Sequence, residues 1–64
     1  MSASASQRSD VLTKARNRTL APNDPGWQQV KHGKNNGVAA DQATYDEVMD
    51  LGGPVSGASV NKVV

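Results

Sequence analysis

The sequence contains no cysteine, no phenylalanine and a single histidine. The missing cysteine removes a disulfide framework and any thiolate metal site. His32 has no second imidazole at ligand spacing, so neither a metal nor a cofactor is expected. Isoleucine is also absent, and the large aliphatics reduce to three leucines and eight valines. That content lies below the usual level for a globular core. Eight further apolar residues are alanines, which bury little surface. No apolar run approaches the length of a membrane span. The Ser/Ala-rich start lacks the basic-then-apolar order of a signal peptide, so none is expected.

These shortages exclude a self-contained enzyme of ordinary size, a zinc finger, a secreted knot and a membrane span. They leave a single small unit of 64 residues working inside a cell or in a virion, with no small-molecule substrate. The scarcity of large apolar side chains leads to a definite fold expectation. The chain should be mostly irregular or extended, with two short helices at about 10–20 and 42–51. It should have little core of its own and be ordered by a partner.

What is present is unevenly distributed. The net charge is +1, yet residues 1–34 carry six basic side chains against Asp10 and Asp24. Residues 35–64 carry Lys62 against Asp41, Asp46, Glu47 and Asp50. The halves therefore face differently charged surfaces, or each other.

Five segments follow from turn signals and periodicity. Residues 1–8 read as a flexible tail. In 9–20, Ser9 and Asp10 are placed to cap a basic helix carrying Val11, Leu12 and Ala15, ended by Leu20-Ala21-Pro22. Residues 21–40 are rich in turns: Asp24-Pro25-Gly26-Trp27 suits a type II turn, and Asn36-Gly37 a tight one. In 41–52, Asp41 or Thr44 caps an acidic helix, with Thr44 and Glu47 matching a capping box. Tyr45, Val48, Met49 and Leu51 form its apolar stripe, and Gly52-Gly53-Pro54 ends it. Residues 53–64 read as an extended tail able to add a strand to a partner.

Candidate chemical motifs are few. Gly33-Lys34-Asn35 lacks the first glycine and the Ser/Thr of a phosphate loop. Asp46, Glu47 and Asp50 lie on one face, but acid/base chemistry needs a desolvated cleft that so small a core does not supply. Leu51-Gly52-Gly53 resembles a double-glycine leader, although Glu47 and Asp50 stand where such leaders carry apolar residues. No catalytic residue is assigned. Arg8, Lys14, Arg16, Arg18, Lys31 and Lys34 can meet phosphates, but they do not line one helix face and have one aromatic among them.

Partner binding therefore carries the functional expectation. Trp27 leads as an anchor, since aromatics dominate interface hot spots. Val30, Val11, Leu12 and Leu20 accompany it, and Tyr45, Val48, Met49 and Leu51 offer a helix for a groove. The expected role is a non-catalytic structural or accessory subunit bound along a larger protein assembly, such as a virion cement or lining protein. One alternative is a small regulatory or inhibitory protein folding on a single target. Another is a nucleic-acid-associated peptide using the basic half.

Overall fold

A computed structural model describes residues 2–55. Helix α1 spans Ala5–Arg16, α2 spans Pro25–Asn35 and α3 spans Ala39–Asp50. Two contacts fix their directions. The backbone N–H of Ala3, just before α1, donates to Asp41 in the first turn of α3 at 3.1 Å. Arg16 at the end of α1 meets Glu47 near the end of α3 at 3.1 Å. Helices α1 and α3 thus run parallel.

Each helix start has a local cause. Ser4 accepts from the Gln7 N–H at 3.1 Å while Gln7 Oε1 accepts from the Ser4 N–H at 2.9 Å, a complete capping box. Asp24 caps α2 by accepting from the Gly26 and Trp27 N–H groups at 2.9 and 3.3 Å. Pro25 occupies the first helical position, where its missing N–H costs nothing. Val38 precedes α3 without a side-chain cap, and Asp41 supplies a carboxylate to that first turn.

The three helix ends share one geometry. Thr19 donates to the Lys14 carbonyl at 2.8 Å, Val38 to Gly33 at 2.9 Å and Gly53 to Val48 at 2.9 Å. In each case the preceding residue has positive φ: Arg18 at 59°, Gly37 at 82° and Gly52 at 110°. These are Schellman caps, which satisfy carbonyls the helix leaves open.

The core gathers Val11 and Ala15 from α1, Trp27 and Val30 from α2, and Val48 from α3. Leu20 from the α1–α2 connection and Ala3 from the N-terminal segment complete it. Leu12, Tyr45 and Leu51 pack against it while half-buried. The N–H of Val55 donates to the Leu20 carbonyl at 2.8 Å, returning the chain after α3 to the α1–α2 connection.

This arrangement overturns the expectation of a mostly irregular chain with two helices and little core. Among the described residues there are three helices, and they bury a common core within the chain. Glycine and alanine at the contacts explain how so few large residues suffice. A Cβ on Gly26 would lie 3.1 Å from Val11 Cγ2, tighter than an ordinary contact, so the bare glycine backbone lets α1 and α2 approach closely there. The core is thin, and seven of the described residues fill it.

Boundaries move for identifiable reasons. α1 starts at Ala5 because Ser4, not Ser9, has the residue it needs three positions on. It ends at Arg16, so Leu20 reaches the core from the connection rather than from a helix. Asp24-Pro25-Gly26 opens a helix instead of closing a type II turn, and His32–Asn35 belong to that helix. α3 begins before both proposed caps. Thr44 sits mid-helix, its hydroxyl donating to the Ala40 carbonyl at 3.0 Å. Glu47 turns to Arg16 rather than closing a capping box. The Ser/Ala start is tied down at Ala3, which is buried. Of the proposed extended tail, residues 56–64 lie outside the described residues.

Candidate interaction surface

The nine residues expected to bind a partner divide by burial. Val11, Leu20, Trp27, Val30 and Val48 are buried in the chain's own core. In this fold they hold the helices together and present no surface. Leu12, Tyr45 and Leu51 are half-buried, and Met49 is the large apolar side chain that stands clear, 48% exposed.

Tyr45 and Met49 share one side of α3, a single turn apart. Tyr45 lies against Trp27 with ring centroids 5.2 Å apart and planes 7° from parallel. Such a stack contributes about 0.5–1.5 kcal/mol beyond burial. It also joins α2 to α3, with Trp27 as the covered ring and Tyr45 as the reachable one. The Lys34 ammonium sits 4.5 Å from the Tyr45 ring centre, and that of Lys31 lies 5.9 Å from Trp27. Both are within cation–π range. On the other side of Met49, the α-helical period brings Asp46 and Asp50 to the surface, and both are exposed. The face thus carries a row of cations on α2, then Tyr45 and Met49, then a row of anions on α3.

Apart from Arg18, the remaining charges of the described residues pair within the fold. Lys14 donates to Asp24 at 2.7 Å and pairs with Asp10 at 3.0 Å. The hydrogen bond to Asp24, reinforced by Asp10, raises the Lys14 ammonium above its ordinary pKa of 10.5. The same bond, with the Trp27 and Gly26 N–H groups, holds Asp24 below its ordinary 3.8 despite burial. Arg16 pairs with Glu47. Arg8 donates to the Ala3 carbonyl at 2.8 Å and stands 3.5 Å from Asp41 Oδ1. Among the described residues, Arg18, Lys31, Lys34, Asp46 and Asp50 enter no salt bridge.

Asp41 was legible only as a helix cap, and its real position was missed. Its side chain is fully buried and its Oδ2 receives the Ala3 N–H. It fits because Gly33 has no side chain: a Cβ there would fall 1.5 Å from Oδ2. Gly33 and Asp41 belong to different sequence segments, and no local signal links them. One carboxylate oxygen is bonded by the Ala3 N–H, while Oδ1 has no hydrogen-bond partner among the described residues and faces the Arg8 guanidinium at 3.5 Å; together these contacts tie the N-terminal segment and α1 to α3 where it packs on Gly33 of α2.

No group of three or more His, Asp or Glu side chains placed to hold a metal occurs among the described residues. No helix among them is long and apolar enough to cross a membrane. Comparison with known proteins finds no matching family model, curated protein or solved structure.

Proposed function

We propose that this chain is a non-catalytic accessory subunit that docks, already folded, onto a larger protein assembly, as a cement or lining component of a virion or similar particle does. The α2–α3 face carries this reading. Its exposed Met49 and half-buried Tyr45 form an apolar row, flanked on both sides by charges that enter no salt bridge among the described residues. That is the layout of an anchor with a polar rim. The acidic and basic groups elsewhere support a scaffold role, because Asp24, Asp41, Lys14, Arg8 and Arg16 each tie one element to another. Phosphate binding by the basic half has less support, since three of its six cations are ion-paired within the fold. The proposed setting is the cell interior or a virion.

A regulator acting on one target would use the same face, and stoichiometry separates the two. The accessory subunit should sediment with its particle in many copies per particle, and Met49→Asp should release it while leaving the fold intact by circular dichroism. Recovery at one copy per target would favour the regulator. Retention of the Met49→Asp variant on the particle at wild-type level would overturn the assignment of this face.

A further inference from the structure

We propose that the α2–α3 face is also a self-association surface, and that its partner is a second copy of this chain in a parallel two-fold dimer. The inference rests on reading this face as a docking surface and adds the identity of one occupant.

The order of the rows carries it. Across the face run Lys31 and Lys34 on α2, Tyr45 and Met49 on the near side of α3, and Asp46 and Asp50 on its outer side. The two cations and two anions enter no salt bridge with the described residues, whereas every acidic residue of α1 and the α1–α2 connection does. A two-fold axis parallel to α3, passing over Tyr45 and Met49, exchanges the outer rows. It lays the lysines of one copy over the aspartates of the other and brings the two Met49 side chains together at the centre. The competing two-fold axis, perpendicular to α3 within the face, lays lysine on lysine and aspartate on aspartate. Charge therefore selects one of the two isologous arrangements. In the selected one the α3 helices run in the same direction.

The surface is small. α3 has 12 residues and spans roughly 18 Å. The patch is well under the roughly 800 Å² per partner of a standard stable interface. The dimer should accordingly be weak and salt-sensitive, forming at high local concentration, as when many copies coat one particle.

Sedimentation equilibrium of the full chain at low salt, from about 10 μM to about 1 mM, reads this directly. A reversible monomer–dimer equilibrium is expected, weakening several-fold or more as salt rises. The double substitutions Lys31→Glu/Lys34→Glu and Asp46→Lys/Asp50→Lys should each be monomeric alone. Mixed in equal amounts they should restore the dimer, because both row pairings then become opposite in sign. A spin label on Gln42→Cys, the only cysteine in the chain, should report a close intermolecular distance beside the axis. This label also decides the matter if a charge-reversed variant does not fold. A strictly monomeric wild-type chain at about 1 mM, or dimerisation unchanged by either reversal, would overturn the proposal. Either result would leave the docking face intact if Met49→Asp still releases the chain from its particle.

Discussion

Gly33 and Asp41 show how one contact decides what a residue is for. In a helix interior, glycine ordinarily costs about 1 kcal/mol relative to alanine. At Gly33 the sign reverses, because a methyl would occupy the position of the Asp41 carboxylate. Displacing that carboxylate breaks its bond to the Ala3 N–H and leaves a buried charge short of partners. Breaking a buried pair costs about 3–5 kcal/mol. Gly33→Ala should therefore destabilise the chain by about 2–4 kcal/mol in urea unfolding. With Asp41→Ala already in place, the same substitution should be neutral or stabilising. A Gly33→Ala penalty that is equal in both backgrounds would show that the two residues are uncoupled.

At the scale of the element, the three helices end alike but not at equal cost. Gly37 and Gly52 take positive φ without a Cβ penalty, while Arg18 takes it with one. The left-handed conformation costs a non-glycine residue roughly 1–2 kcal/mol, partly offset by the lower chain entropy of arginine when unfolded. Arg18→Gly should raise stability by about 0.5–1 kcal/mol, read as a higher midpoint in thermal melts. A lower midpoint would mean that the Arg18 guanidinium, which passes close to Gly52, contributes more than the strain removes.

For the molecule as a whole, Lys14 and Asp24 link the last turn of α1 to the N-cap of α2. The folded state holds Asp24 below 3.8 chiefly through the Lys14 hydrogen bond. Its contribution to stability is thus complete above that value and fades as pH falls through the lower folded-state pKa. Lys14 is shifted the other way, so its contribution is complete below 10.5 and fades as pH rises through its higher folded-state pKa. Asp24→Asn should retain a capping oxygen for Gly26 and Trp27 yet flatten the acid limb of stability against pH below about 3.8. An unchanged acid limb in that variant would place the acid sensitivity elsewhere.

How much of this was legible follows from the range of each signal. The acidic helix was visible at 42–51 because Tyr45, Val48, Met49 and Leu51 repeat at helical spacing and Gly52 ends the pattern within a few residues. The glycine after Asn36 was visible as a tight turn for the same reason, and its φ of 82° agrees. α2 was not visible. Its buried set includes Gly26 and Gly33, residues whose local preference is for turns. They serve there as gaps for Val11 and Asp41, which stand far away in the sequence. Within the apolar stripe read on the acidic helix, burial separates Val48, which faces the core, from Met49, which faces outward, and Leu51 falls just past the helix end.

The sequence by itself determined the absence of cysteine chemistry, the division of charge between the halves and the local signals that stop helices. Each of these is a property of composition or of residues within one turn of each other. Only the tertiary structure decided that so few large apolar residues make a core, because that depends on how closely glycine and alanine let the helices approach. It alone decided that Asp41 is a buried tie rather than a cap, and that Lys31 and Lys34 flank the same apolar row as Asp46 and Asp50. Those relations join residues on different helices, and packing, not neighbourhood along the chain, brings them together.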